Sequence, residues 1–188
     1  REQQQLPLQV AEFYSQLGRC HRAAGEPASA RAVFERALAL RRDPGNDGVG
    51  AAETLADLAA LDNDAGHGPE ALRGYRKALA QLRASAGPRH PMAVDLLRNV
   101  CALERSAGAI GIAEHDCGAA LALSLSLHGA ANPITVDARR QLAAIQVAQG
   151  RLREAEAAYR DSRAWLVARL GPDHQSVARD DNSLAMIA

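Results

Sequence analysis

The sequence predicts an all-α fold, a right-handed solenoid of antiparallel helix pairs, and three observations support this class. A short turn recurs every 42 residues, and its glycines are Gly45, Gly87, Gly129 and Gly171. A second series repeats out of phase at intervals of 41, 42 and 42 residues, at Gly25, Gly66, Gly108 and Gly150. Between these breaks, apolar residues recur every three or four positions, as over residues 30–38, which indicates helix rather than strand. Two breaks in each period give two helices in each repeat, helix A and then helix B.

The breaks place the helices in order along the chain. We predict helices over 7–24, 27–42, 49–64, 69–85, 91–107, 111–127, 133–149, 153–169 and 175–188. Five prolines fall at or near a first turn, where a missing N–H costs little: Pro7, Pro27, Pro69, Pro91 and Pro133. Three others fall in turns: Pro44, Pro88 and Pro172. Asn132 is placed to N-cap the next helix, and Gly87, Gly129 and Gly171 stand where a left-handed C-cap residue is wanted.

We expect one continuous array over residues 1–188. Its repeats cover about 7–45, 46–87, 88–129 and 130–171, followed by a partial repeat over 172–188. The chain begins with Arg1 and stops after a helix A, so we expect a fragment of a longer array. Leu184, Met186 and Ile187 would then be partly uncovered, and end-to-end self-association through them is possible.

Residues at fixed distances from the internal glycines carry a family resemblance. Eight and seven residues before the glycine stand a large and then a small residue: Leu17-Gly18, Leu58-Ala59, Val100-Cys101 and Leu142-Ala143. Five, nine and twelve residues after it, three repeats have small, aromatic and small residues, as at Ala30, Phe34 and Ala37. This pattern resembles the tetratricopeptide repeat, in which small residues let helices A and B approach and the aromatic fills the gap. The 42-residue period and the turn Leu170–His174 resemble the kinesin-light-chain type of this repeat, which also occurs in bacterial proteins.

Composition excludes several classes of partner. The formal net charge is zero and aromatic residues make up 3%, so neither nucleic acid nor an anionic membrane is an expected partner. The longest apolar runs are too short for a membrane span, and no signal peptide is visible. We therefore expect a cytoplasmic protein, and the abundance of alanine suggests a bacterial source.

No motif of enzyme chemistry is visible in the sequence. It has no glycine-rich phosphate loop, nucleophile elbow or HExxH, so we expect no catalytic residue, no metal and no cofactor. His90 and His174 lie two periods apart at equivalent turn positions. We interpret them as residues that cap or pack against the next helix.

The resemblance implies that helix A lines a concave groove that binds a protein or peptide partner. Arginine can bind a carboxylate with two hydrogen bonds, so we centre a groove for an acidic or mixed acidic–apolar peptide on Arg98, Arg105 and Arg140. Asparagines on helix A clamp an extended peptide in the kinesin-light-chain relatives, and Asn99 and Asn182 are the nearest matches. Arg19 and Asn63 complete the predicted site. In the competing interpretation these arginines are solvated and pair with Asp95 and Asp137 along their own or adjacent helices, which contributes little to stability.

Two functions remain open at this point. The first is a scaffold or regulatory module that binds a peptide or helix. The second is the sensor or regulatory region of a larger enzyme, such as a bacterial Ser/Thr protein kinase or an ATPase-type regulator, with its catalytic domain outside these residues. A kinase catalytic loop or a P-loop in flanking sequence would distinguish them.

Overall fold

A computed structural model describes residues 2–41 and 47–188, with side chains for 6–41 and 47–188. The described residues form nine helices and no strand, which confirms the predicted all-α class. The helices are α1 Glu2–Ala23, α2 Pro27–Leu40, α3 Gly48–Asp64, α4 Gly68–Ala86, α5 Met92–Ser106, α6 Ile110–His128, α7 Pro133–Ala148, α8 Leu152–Leu170 and α9 Gln175–Ile187. Odd-numbered helices are helix A of a repeat and even-numbered helices are helix B.

The predicted start of α1 is wrong. The helix begins at Glu2, so Pro7 lies inside it rather than in its first turn. The residues before Pro7 are glutamate, glutamines and leucine, which favour helix. Proline removes a single backbone donor, and near a helix end this loss does not outweigh the propensity of the five preceding residues.

The internal turns share one hydrogen-bonding pattern. In the first, Gly25 N–H donates to the Arg22 carbonyl (3.1 Å) and Glu26 N–H donates to the His21 carbonyl (2.9 Å). This pair of bonds defines a Schellman motif, in which the residue with positive φ is almost always glycine. Gly25 has φ +75°, and the turns at Gly66, Gly108 and Gly150 repeat both bonds.

The turns between repeats differ from the predicted left-handed caps. Gly87, Gly129 and Gly171 have φ near +80° but ψ of 173°, 172° and 162°, a region that is essentially restricted to glycine. The first turn of this series, at Pro44 and Gly45, lies outside the described residues.

Side chains cap the helices that follow these turns. Asn132 accepts a hydrogen bond from Ile134 N–H at 2.9 Å, as predicted. His90 and His174 do the same through Nδ1, from Met92 N–H (3.3 Å) and Ser176 N–H (3.1 Å). The capping role predicted for the two histidines is confirmed.

The chain divides into two compact units, Arg1–Leu103 and Glu104–Ala188. In the first unit, α1 packs on α2, α2 on α3 and α3 on α4. Phe34 is fully buried in a cluster with Ala30 and Leu61, and a Cβ at Gly18 would lie 2.5 Å from the Phe34 ring. The small residue and the aromatic therefore meet between helices A and B, as the repeat pattern predicts.

The second unit uses the same packing. Here α6 packs on α7, α7 on α8 and α8 on α9. Tyr159 is buried with Ala143 and Ala155, and Leu184 and Ile187 pack against this cluster. Met186 is 78% exposed. End-to-end self-association and the single array over 1–188 remain predictions.

Candidate peptide-binding surface on helix A

Charged pairs connect the helix A surfaces of the first unit. Arg19 on α1 donates to Asp57 on α3 at 3.0 Å and also contacts Glu12 at 3.4 Å. Burial raises the pKa of the Asp57 carboxyl, while the charge and hydrogen bond of Arg19 act in the opposite direction. The predicted site residue Arg19 is therefore already engaged by two carboxylates.

A second pair lies one turn further along α1 and two turns further along α3. Arg22 Nε donates to Asp64 Oδ2 at 2.6 Å, and this hydrogen bond raises the pKa of Arg22. The Arg22 side chain is 37% exposed. Because Asp64 engages only Nε, the two terminal nitrogens of the guanidinium have no hydrogen-bond partner within the described part of the chain. They present the edge that binds a carboxylate with two parallel bonds.

A pocket of about 280 Å³ opens beside this pair. It lies where the end of α1, the start of α2 and the end of α3 meet. The lining residues are Arg22, Gly25, Pro27, Leu61, Asp64 and Ala65. Its apolar part can receive one side chain, and Arg22 and Asp64 supply charge at its edge.

Away from this pocket, buried polar contacts of Arg41 connect α1 and α3, the helices A of the first two repeats. Arg41 has a side chain only 1% exposed. It donates to Ser15 and Thr54 at 2.6 Å each, to Glu12 at 2.9 Å and to Asp47 at 3.0 Å. Every partner is an oxygen, so the arginine is well satisfied despite its burial.

The other predicted residues of the first unit lie on α3 and α5. Arg98 donates to Asp95 at 2.9 Å, and its side chain is 23% exposed. This is the pair with Asp95 that the competing interpretation of Arg98 expects. Asn63 and Asn99 are exposed.

The predicted residues of the second unit differ in their burial. Arg140 donates to Asp180 at 2.5 Å and to Asp137 at 3.4 Å, and the Asp180 side chain is fully buried. Arg140 therefore compensates a buried charge. Arg105 and Asn182 are exposed, and Arg105 makes no ion pair with the residues that the structure describes.

Sequence reasoning missed the pocket, and it did not predict which carboxylates the arginines contact across repeats, namely Asp57, Asp64 and Asp180. Arg22 and Asp64 both lie near the ends of helices A, 42 residues apart, so the period alone could have indicated that they meet. Their carboxylate–guanidinium pairing follows from residue type once that register is known. The pocket beside them follows from backbone placement, for which the sequence carries no comparable signal.

A family model matches the first two repeats of the chain. Residues 9–84 match the family model of the tetratricopeptide repeat. Together with the period and the helix-pair packing, this match shows tetratricopeptide repeats over residues 9–84. No curated protein matches the sequence.

Solved structures share the fold at low sequence identity. BtubC (BKLC) from P. vanneervenii is 16% identical with a TM-score of 0.85, and the match covers 96% of this chain and 74% of that one. A protein described as a kinesin light chain from Podosopora anserina is 17% identical with a TM-score of 0.76, over 96% and 86% of the two chains. A Rap protein complexed with Competence and Sporulation Factor is 16% identical with a TM-score of 0.70, over 95% and 48%.

No group of three His, Cys, Asp or Glu residues suited to a metal occurs within residues 2–41 and 47–188. None of the helices in the described chain is long and apolar enough to cross a membrane.

Proposed function

We propose that this chain is a protein-interaction module that binds a peptide segment along its helix A surfaces. The observation that carries the proposal is the pocket beside Arg22 in the first unit. It combines an apolar recess with a guanidinium that Asp64 orients through Nε. A concave site with an apolar lining and few polar groups is the usual form of a ligand site.

The chemistry of this surface favours a mixed acidic–apolar peptide over a highly acidic one. Arg19, Arg98 and Arg140 each contact a carboxylate of the chain itself, so a highly acidic segment would have to displace those contacts. Arg22 offers its terminal nitrogens to one carboxylate, and Leu61 and Ala65 offer apolar contact beside it. One acidic residue next to an apolar side chain satisfies both features.

The predicted site residues take two roles in this proposal. In the first unit, the exposed Asn63 and Asn99 contact the peptide directly. In the second unit, Arg105 and Asn182 are the exposed positions for peptide contact. Arg19, Arg98 and Arg140 hold neighbouring carboxylates and shape the surface. Affinity comes mainly from the apolar side chain in the pocket, while charge sets the orientation of the peptide.

A selection from a random peptide library tests the proposal. The purified chain should enrich peptides in which an acidic residue adjoins an apolar one. Arg22→Gln removes the guanidinium, and Ala65→Phe fills the pocket; we expect each to weaken binding of an enriched peptide at least tenfold. Matched controls are Arg36→Gln and Ala39→Phe on the exposed surface of α2, which should leave affinity unchanged.

The outcome locates the binding surface. Loss of affinity in both pocket variants, with intact helical circular dichroism, supports the proposal. Equal affinity of all four variants would place peptide binding elsewhere. No enriched peptide at all would contradict the interaction function in this form.

A further inference from the structure

One face of α1 is apolar and exposed. Leu6, Val10 and Phe13 are 65%, 37% and 62% exposed. Their spacing of four and then three residues places them on one side of the helix. Three exposed large apolar residues in one line are unusual for a surface and indicate an interface.

The repeat supplies internal references for two of these positions. Val10 lies fifteen residues before the internal glycine, and Phe13 lies twelve before it. The residues equivalent to Val10 are at most 7% exposed: Ala51, Ala93, Thr135 and Val177. The residues equivalent to Phe13 are at most 2% exposed: Thr54, Leu96, Ala138 and Asp180. In every later repeat, therefore, these positions are covered.

At two of these positions, Thr54 and Thr135, the structure shows which element covers them. In the first unit, Arg41 at the end of α2 donates to Thr54 of α3 at 2.6 Å. In the second unit, Ser124 of α6 contacts Thr135 of α7 at 2.7 Å. Both contacts join helix B of one repeat to helix A of the next.

We propose that the face formed by Leu6, Val10 and Phe13 is an inter-repeat surface, and that its occupant is helix B of one more repeat of the same array. Val10 and Phe13 are larger than most of their counterparts. Because interiors are close-packed, the occupant presents small residues opposite the Phe13 ring.

The small size of the face favours an occupant on the same polypeptide over a second copy. A stable interface between separate proteins buries about 800 Å² on each partner. Three partly exposed side chains, of which the aromatic can bury about 150–250 Å², fall short of that area. A tethered helix needs less contact, since its effective concentration is about millimolar.

A fusion tests this assignment. Leu8 and Pro91 both lie seventeen residues before an internal glycine, so residues 47–90 can replace residues 1–7 in register. The inserted segment carries Leu82→Ser, the residue found at the equivalent Ser124, so that a small side chain faces the Phe13 ring. This places α3, α4 and their turn in front of Leu8, in the same sequence order and spacing that they have before α5. The Phe13→Cys variant of the fusion and of the original chain is then labelled with a maleimide.

The exposed Cys20 serves as an internal control in each molecule. We expect labelling at position 13 to be at least tenfold slower in the fusion, with labelling of Cys20 unchanged. Val10→Asp/Phe13→Asp should lower the Tm of the fusion and leave that of the original chain unchanged. Equal labelling in both molecules, or added residues that contribute no helical circular dichroism, would overturn the proposal. Protection that appears in the original chain as its concentration rises, with a doubled sedimenting mass, would also overturn it and identify a second copy as occupant.

Discussion

Glycines inside the helices have opposite roles in the two units. In the first unit, a Cβ at Gly18 would lie 2.5 Å from the Phe34 ring, and one at Gly74 would lie 2.7 Å from the Ala59 Cβ. In the second unit, a Cβ at Gly111 or Gly118 would meet nothing within 4 Å. The first pair therefore permits close helix approach, whereas the second pair only weakens α6.

The repeat explains this difference by position. Gly18 occupies the small position of the helix pair pattern, and its counterparts are Ala59, Cys101 and Ala143. Gly118 stands ten residues after the internal glycine, where the other repeats have Glu35, Arg76 and Arg160. A position that accepts long charged side chains faces solvent, so its glycine serves no packing role.

The contact between successive repeats also differs between the units. In the first unit it includes the buried Arg41, which has four oxygen partners. In the second unit the equivalent positions hold Ser124, which contacts Thr135 at 2.7 Å, and the buried Leu166. The same site in the fold therefore accepts either a charged network or a small or apolar side chain.

The largest expected effect is at Arg41. Arg41→Ala should lower the free energy of unfolding by about 3 kcal/mol, because it leaves a cavity and removes the donor shared by Ser15 and Thr54. Arg41→Leu should lower the free energy of unfolding by less, because the equivalent positions of two other repeats hold the buried Leu82 and Leu166. Urea denaturation of both variants measures the difference. Equal losses would show that the network, and not the filled volume, determines stability at this site.

Gly18→Ala is expected to have the next largest effect on stability. The added methyl overlaps the buried Phe34 ring, and overpacking of this kind typically destabilises by about 1–3 kcal/mol. Gly68→Ala is a suitable control, since that glycine starts α4 and a Cβ there meets nothing within 4 Å. Thermal unfolding that leaves both variants equally stable would mean that α1 and α2 separate at little cost.

The sequence could predict most of the helical framework that positions Arg41 and Gly18. Every helix was expected, with ends correct to within two residues except the start of α1, because glycine and proline mark the ends and apolar spacing marks the faces. The meeting of Gly18 with Phe34 also follows from the repeat pattern.

The polar contacts were less predictable. An arginine at the end of α2 looks like a solvated residue, and its burial depends on Ser15 and Thr54, which lie 26 residues before it and 13 after it. The carboxylates that Arg19 and Arg140 contact on the neighbouring helix A lie 38 and 40 residues away. Such contacts depend on side-chain direction across repeats, which one sequence specifies only weakly.

Gly118→Ala should raise stability. Glycine in a helix interior costs about 1 kcal/mol relative to alanine, and the new Cβ meets nothing within 4 Å. We expect a gain of about 0.5–1 kcal/mol in urea denaturation, with a further gain from Gly111→Ala nearer the start of α6. A loss of stability in either variant would show that α6 packs more closely than its open Cβ positions indicate.

The smallest expected effect is a pH dependence at Asp57. Burial raises the pKa of this carboxyl above its unfolded value even though Arg19 contacts it. The folded chain therefore holds the proton more tightly. The stabilisation from this group is complete below the unfolded pKa of about 3.9 and is lost as the pH rises through the folded pKa.

Asp57→Asn isolates that contribution, because other carboxyls such as Glu114, whose pKa is lowered by its hydrogen bond with Gln149, act equally in both proteins. The stability of the wild type minus that of the variant should fall as the pH is raised from about 3.5 to 6.5, measured by urea denaturation at each pH. A difference that rises over this range would mean that the ion pair with Arg19 outweighs the burial of Asp57. In that case the charged pairs between α1 and α3 would stabilise the first unit. Arg19 could then exchange Asp57 for a carboxylate of the peptide only with a loss of stability.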